Sequence, residues 1–243
     1  MVGKLVVETV GWLVAMAVLL FVPAGTVDWP GAWMFLAITG VAGIAIGLWL
    51  ARHDPDLLAE RLAPPLQRGQ QGWDKIFVPV VMVVWCTQLV FMALDAERFG
   101  WSHVPPWTQS LGALGVVLGM YIAFLALRAN HYAAPVVKVQ RSQTVATAGP
   151  YRHVRHPMYA GAALFFVAAP LLLGSWYGLL WAPALIALLG ARAVLEERTL
   201  AAELTGYRDY AAPVVKVQRS QTVATAGPYR LVRHPMYAGA AKV

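Results

Sequence analysis

Residues 149–161 read G-P-Y-R-H-V-R-H-P-M-Y-A-G, and an uncharged apolar run comes directly after them. Gly149-Pro150 is typical of a turn, and His156-Pro157 ends one element and starts another. Proline suits the first turn of a helix because its missing N–H would have no partner there. The amide groups of that turn point back towards the preceding loop, where an anion would be stabilised. We therefore predict that a polar, arginine-containing loop enters a membrane helix at Pro157.

The rest of the chain is mostly apolar, with 59% hydrophobic and 13% charged residues among 243. About 20 apolar residues in a helix cross the roughly 30 Å hydrocarbon core of a bilayer. We predict an all-α, multi-pass transmembrane helical bundle of about five to six helices, with a cytoplasmic loop and C-terminal region. Gly174-Ser175 alone separates the last two apolar segments, which predicts a tight helical hairpin. The six segments are residues 5–22, 32–50, 76–94, 107–127, 158–174 and 176–195.

Basic residues collect in two of the connections, residues 51–75 and 128–156, and the second has no acidic residue. Lys and Arg accumulate in cytoplasmic loops, so we predict that both connections and both termini are cytoplasmic. Residue usage rich in Ala, Gly and Arg fits a bacterial inner membrane protein. The basic residues of the two connections are Arg52, Arg61, Arg68, Lys75, Arg128, Lys138, Arg141, Arg152 and Arg155.

One segment occurs twice: residues 132–163 recur as residues 210–241, identical at 31 of 32 positions. The two copies hold eight of the 19 basic residues, and the other 11 are balanced by 12 acidic ones. The net charge of +7 therefore reflects membrane-facing loops rather than a nucleic-acid partner. Two apolar segments come after the first copy, whereas none comes after the second. We therefore do not expect Arg233, His234 and Tyr237 to form a second working site.

These features predict three regions. Residues 1–127 hold four transmembrane helices and the cytoplasmic loop 51–75. Residues 128–210 form the functional core, with an inner loop, the hairpin and an acidic segment. Residues 211–243 repeat residues 133–163 with two further residues, and we do not interpret them as an independent domain.

Two polar loops are expected to lie at the basic side of the membrane. Asp54-Pro55 can start a short interfacial helix with leucines on one side. We interpret its charged residues as a solvated face, which is favoured over a catalytic role. Residues 133–148 are predicted to fold back over a pocket. The charged residues of the short helix are Asp54, Asp56, Glu60 and Arg61.

An acidic pair, Glu196-Glu197, ends the last apolar segment, where ionised groups are costly unless solvated or paired. Either the pair lines a polar cavity or the helix has already left the lipid. Consecutive antiparallel helices place this pair beside Arg155, His156 and Tyr159, a mixture that would suit a zwitterionic ligand with an aromatic part. The alternative is that these charges merely flank membrane helices. No Cys or His pair has ligand spacing, so no metal site is predicted.

The motif at residues 149–161, two apolar helices and then R-A-V-L-E-E-R-T-L at residues 192–200 together resemble a known superfamily. It comprises the isoprenylcysteine carboxyl methyltransferases and phospholipid methyltransferases of membranes. The resemblance implies transfer of a methyl group from S-adenosyl-L-methionine to a lipid-like or prenylcysteine-like acceptor. The cofactor pocket would open to the cytosol, and the acceptor would enter from the bilayer.

The resemblance also implies roles for particular residues. Arg192, one turn before Glu196, would position an anionic group of the acceptor. The family typically continues into a short Arg-containing tail, whereas here the repeated copy takes its place. An NADPH-dependent membrane reductase of the sterol-reductase type and an inactive membrane scaffold are the alternatives. The implied cofactor-binding residues are Gly149, Tyr151, Arg155, His156, Tyr159, Gly161, Glu196 and Glu197.

Overall fold

The fold was obtained as a computed structural model, which describes residues 1–211. These residues form helices and connecting loops without strands. The second copy of the repeated segment lies outside them from residue 212 onward, and with it Arg233, His234 and Tyr237. The α-helices are α1 (Val2–Ala24), α2 (Pro30–His53), α3 (Pro55–Arg61), α4 (Asp74–Ala93), α5 (Pro106–Ala129), α6 (Pro157–Leu172), α7 (Ala182–Glu203) and α8 (Tyr207–Ala211).

The predicted multi-pass helical bundle is confirmed, because each of the six apolar segments forms a helix. Within residues 1–211, five spans are long and apolar enough to cross a membrane: α1, α2, α4 with the π-turn Leu94–Arg98, α5, and α7 with the preceding 3₁₀ turn Tyr177–Trp181. The sixth helix, α6, has 16 residues. At 1.5 Å per residue it is about 24 Å long, which is less than the hydrocarbon thickness of about 30 Å.

The connections alternate between two ends of the bundle. We call the end that holds residues 54–73 and 130–156 the basic end. There Lys4 Nζ donates to the Leu62 carbonyl at 2.7 Å, which ties α1 to the same end. The predicted short helix is present as α3, where Asp54 accepts from the Leu57 amide at 3.1 Å and the side chain of Leu57 is buried.

At the opposite end, a buried carboxylate organises the hairpin between α6 and α7. Asp95 is fully buried and accepts hydrogen bonds from Ser102 at 2.7 Å and from Ser175 at 2.5 Å. Gly174 adopts a left-handed conformation with φ of 79°, which allows the chain to reverse. The tight hairpin predicted at Gly174-Ser175 is confirmed, although α7 itself begins only at Ala182, after the 3₁₀ turn.

Helices α5 and α6 make the closest contact of the bundle, through glycines. A methyl group built on Gly112 would lie 2.3 Å from the Leu172 amide nitrogen, and one on Gly115 would lie 2.6 Å from the Ala168 Cβ. Small residues allow membrane helices to approach in this way, so that their backbones pack directly. The contact fixes the start of α6, and with it the motif at residues 149–161, against the end of α5.

The α5–α6 contact predicts that Gly112→Ala destabilises the protein. Because the added methyl would meet backbone atoms of α6 that cannot rotate away, we expect the free energy of unfolding to fall by about 1 to 3 kcal/mol. Thermal unfolding in detergent measures the effect. Gly11→Ala in α1 is the matched control, since nothing lies within 4 Å of the added methyl. Equal melting temperatures for the two variants would contradict the close contact.

Candidate functional site

A cavity of about 290 Å³ lies at the basic end of the bundle. Its volume is near the lower limit of the about 300 to 1,000 Å³ typical of small-molecule sites. The end of α3, residues 130–146, the start of α6, the end of α7 and α8 all contribute to its wall, so the prediction that residues 133–148 cover a pocket is confirmed. The polar and aromatic lining residues are Arg61, Asn130, Tyr132, Lys138, Gln143, Thr144, Tyr151, Arg155, His156, Tyr159, Arg192, Glu196, Tyr207 and Tyr210.

The buried carboxylate of Asp74 holds the covering loop in place. Asp74 is fully buried at the first turn of α4, and its Oδ2 accepts from the Val137 amide at 2.8 Å and from Gln70 Nε2 at 3.0 Å. The Gln71 amide in turn donates to the Val137 carbonyl at 2.9 Å. The loop therefore satisfies its backbone groups at a fixed point instead of leaving them unpaired beside the membrane.

Arg192 of α7 completes this anchor. Its Nε donates to Asp74 Oδ1 at 3.1 Å, and its Nη2 donates to the Pro135 carbonyl at 2.8 Å. The guanidinium carbon also lies 5.8 Å from the centre of the Tyr159 ring, a distance at which a cation is attracted to an aromatic face. One arginine thus connects α4, the covering loop, α6 and α7.

The motif and the acidic pair meet at the cavity. Tyr159 donates to Glu196 Oε2 at 2.6 Å, and the ring of His156 stacks on that of Tyr159 with centroids 5.2 Å apart. Arg155 Nη1 and His156 Nε2 each lie 3.2 Å from Glu197. Helix α7 therefore presents one carboxylate to the cavity and the other to the charged residues before α6.

The first alternative for the acidic pair, that it lines a polar cavity, holds for one of its two members. Glu196 lines the cavity, whereas Glu197 is not among the lining residues. Both carboxylates are partly buried and hydrogen-bonded, Glu197 with the cationic Arg155 and Glu196 with the neutral hydroxyl of Tyr159.

The remaining predicted site residues occupy different places. Tyr151 lines the cavity, where its hydroxyl accepts from Asn130 at 3.2 Å and its carbonyl accepts from the Tyr210 hydroxyl at 2.9 Å. Gly149 has φ of 57°, which allows the turn before the motif. A methyl group on Gly161 would lie 2.7 Å from the Gly119 carbonyl oxygen, so the close approach that this glycine permits is that of α5.

Burial shifts the pKa of several groups at the cavity. Desolvation raises the pKa of the Tyr151 and Tyr207 phenols above their ordinary value, and the nearby carboxylates act in the same direction. Both phenols therefore stay neutral at physiological pH and act as hydrogen-bonding groups. Desolvation also lowers the pKa of Arg61 from its ordinary value, although arginine remains charged.

Sequence reasoning missed part of this site. The interpretation of the short helix as a solvated face is wrong for Arg61, which lines the cavity and donates to the Ala133 carbonyl at 3.0 Å. It is also wrong for Glu60, which pairs with Lys138 at 2.6 Å. Asp74 drew no prediction, although an acid at the start of an apolar segment needs a partner.

The same part of the chain matches a known protein family. The family model of the phospholipid methyltransferases matches residues 107–208. Residues 107–208 belong to that family. The resemblance based on the motif is thus confirmed, and the match supports a methyltransferase in general. No curated protein and no solved structure matches the chain.

The segment that matches the phospholipid methyltransferases runs from α5 to α8. It includes the covering loop, the motif, Arg192 and the acidic pair. Asp74 and Arg61 precede it, so the N-terminal part of the chain supplies both the anchor of the loop and one cation of the cavity. Within residues 1–211, no group of His, Cys, Asp and Glu is arranged to hold a metal ion.

The anchor predicts a large effect of Asp74→Asn. Removing one charge of a buried pair leaves Arg192 uncompensated, so we expect a loss of about 3 to 5 kcal/mol in the free energy of unfolding. The double variant Asp74→Asn/Arg192→Met should recover part of that loss, because no unpaired charge remains. Thermal or denaturant unfolding in detergent measures both.

Asp56→Asn is the matched control, since Asp56 is exposed on α3. We expect it to change the free energy of unfolding by no more than about 0.5 kcal/mol. An Asp74→Asn variant as stable as this control would show that the pair does not hold the loop.

Proposed function

We propose that this protein transfers the methyl group of S-adenosyl-L-methionine to a lipid-like or prenylcysteine-like acceptor at the cytoplasmic face of the membrane. The observation that carries the proposal is the meeting of the motif with Glu196 in one cavity, inside the segment that matches the family. The family gives the type of chemistry. The cavity gives a place where a soluble cofactor and a membrane-borne acceptor can meet.

The residues of the cavity fit this cofactor. The Glu196 carboxylate can accept hydrogen bonds from an amino group or from ribose hydroxyls. The rings of Tyr151, Tyr159 and Tyr207 offer apolar and aromatic faces to an adenine ring. Aromatic faces also attract a positively charged sulfonium. We therefore assign Tyr151, Arg155, His156, Tyr159, Glu196 and Glu197 to cofactor binding, directly or through their partners.

When bound, S-adenosylmethionine supplies a methyl group activated by the positive sulfur. The chain's own residues then have to hold the cofactor and the acceptor in a reactive orientation. Such alignment of two reactants raises the reaction rate by several orders of magnitude. The loop anchored on Asp74 forms one wall, and the Tyr159–Glu196 pair forms the opposite one. A carboxylate acceptor needs no general base, whereas an amine acceptor must lose a proton.

Arg192 remains our candidate for positioning an anionic group of the acceptor. Its Nε and Nη2 are already engaged by Asp74 and by the Pro135 carbonyl. A contact with the acceptor would therefore come from Nη1 or from the second N–H of Nη2, and Arg192 would both anchor the loop and position the acceptor. Gly149 and Gly161 would act indirectly, by shaping the turn and the helix contact beneath the motif.

The cytoplasmic orientation rests on the distribution of charge. Nine basic residues lie in the connections at residues 51–75 and 128–156, and the cavity opens at the same end. The positive-inside bias supports a cytoplasmic position for that end, from which S-adenosylmethionine would reach the cavity.

The first test is binding of S-adenosylhomocysteine, the demethylated product, to the full chain in detergent by calorimetry. We expect Glu196→Gln to weaken binding by about 10- to 100-fold, because hydrogen bonds to a charged group are worth about 1.5 to 3 kcal/mol. Glu203→Gln is the matched control on the same helix. Glu203 is exposed, contacts Gln71 and lies outside the cavity. The Glu203→Gln variant should therefore bind S-adenosylhomocysteine with the affinity of the unchanged protein.

Two results would contradict the proposal. Absence of binding by the unchanged protein, together with tight binding of NADPH, would favour a reductase of the sterol-reductase type. Absence of binding of either cofactor would favour an inactive membrane scaffold.

The acceptor is identified by transfer of a radiolabelled methyl group. We expect label from S-adenosylmethionine to enter either phosphatidylethanolamine or a farnesylcysteine analogue supplied in proteoliposomes, and only when the basic end faces the added cofactor. A protein inserted with both orientations should therefore use about half of its sites. Label in neither acceptor, with cofactor binding intact, would contradict the proposed acceptor classes.

A further inference from the structure

Four permanently charged cations line the cavity, and three of them are paired with carboxylates. Lys138 lies 2.6 Å from Glu60, Arg155 lies 3.2 Å from Glu197, and Arg192 lies 3.1 Å from Asp74. The fourth, Arg61, has no acidic partner among residues 1–211. Its one hydrogen bond within that range runs from Nη1 to the Ala133 carbonyl at 3.0 Å.

Burial of the Arg61 guanidinium costs free energy unless an anion pairs with it. The residue is partly buried at the last turn of α3, and the surrounding protein desolvates its guanidinium. An arginine has five N–H donors in a planar fork that matches the geometry of carboxylates and phosphates. The contact with Ala133 leaves Nε and Nη2 without an acceptor among the described residues.

Charges of both signs are therefore available to a single ligand in this cavity. The charges of Arg61 and Glu196 both act on the pKa of the Tyr151 phenol, so the three side chains lie near one another. Glu196 accepts a hydrogen bond from Tyr159, and the imidazole of His156 lies 3.9 Å from the same oxygen. The cavity therefore offers a carboxylate with no lysine or arginine partner among residues 1–211, as well as the Arg61 guanidinium. A ligand with a cationic and an anionic group would complement both.

We propose that Arg61 binds an oxyanion, a carboxylate or a phosphate, of the ligand that occupies this cavity. The proposal rests on the proposed function, which offers two sources of such a group. One is the α-carboxylate of the methionine part of S-adenosylmethionine, and the other is the phosphate of a phospholipid acceptor. In either case Arg61 is a ligand-binding residue contributed by the chain before the segment that matches the family.

The carboxylate source is tested with two ligands that differ in one group. S-adenosylhomocysteine is compared with its decarboxylated analogue, in which hydrogen replaces the carboxylate. In the full-length protein, Arg61→Met should weaken binding of S-adenosylhomocysteine by about 10- to 100-fold and leave the affinity for the analogue unchanged. Arg61→Lys should retain part of the affinity, because it keeps the charge but loses the planar fork.

The phosphate source is tested with dihexanoylphosphatidylethanolamine and dihexanoylglycerol, which lacks the phosphoethanolamine headgroup. If the phosphate is the partner, Arg61→Met weakens binding of the phospholipid alone by a similar factor and leaves both nucleosides unaffected. Arg68→Met is the matched control for both arms. Arg68 is an exposed arginine of the same loop outside the cavity, so this variant should bind all four ligands like the unchanged protein.

The results separate failure of this inference from failure of the proposed function. If Arg61→Met loses affinity equally for both members of each ligand pair, Arg61 supports the cavity without binding an oxyanion. If Arg61→Met leaves the affinity for all four ligands unchanged, Arg61 does not bind an oxyanion of a ligand in this cavity. If the unchanged protein binds neither S-adenosylhomocysteine nor the analogue, the proposed function fails irrespective of the Arg61 variants, and the inference built on it falls with it.

Discussion

The site depends on the hydrogen bonds and the ion pair that the fully buried carboxylate of Asp74 makes. It joins the first turn of α4, the loop at residues 133–148 and Arg192 of α7, which are otherwise separate at the basic end of the bundle. A polar loop beside a membrane needs partners for its backbone groups, and this anchor with Gln71 supplies two of them. Without it, the cavity would lack its covering wall.

The opposite wall depends on how closely α5 and α6 pack. Glycines at their contact bring the backbones together and fix where α6 begins. His156 and Tyr159 are then placed beside the last turns of α7, where the two glutamates can take separate partners. The packing of the membrane helices therefore also determines the geometry of the polar site.

The sequence predicts the elements well and the contacts between them only in part. Apolar length and the turn at Gly174-Ser175 predict the helices and the hairpin, because both signals are local. The adjacency of Tyr159 and Glu196 is expected from the antiparallel order of α6 and α7. By contrast, Asp74 and Arg192 are 118 residues apart. Nothing local marks them as partners, and Arg61 resembles a surface charge until the covering loop is seen to fold over it.

The most direct test of this account is an experimental structure of the full chain with S-adenosylhomocysteine at saturating concentration. The account predicts ligand density in the cavity between the loop at residues 133–148 and the Tyr159–Glu196 pair, at the basic end of the bundle. Density for the ligand at the opposite end, or an empty cavity under conditions in which binding is measured in solution, would contradict it.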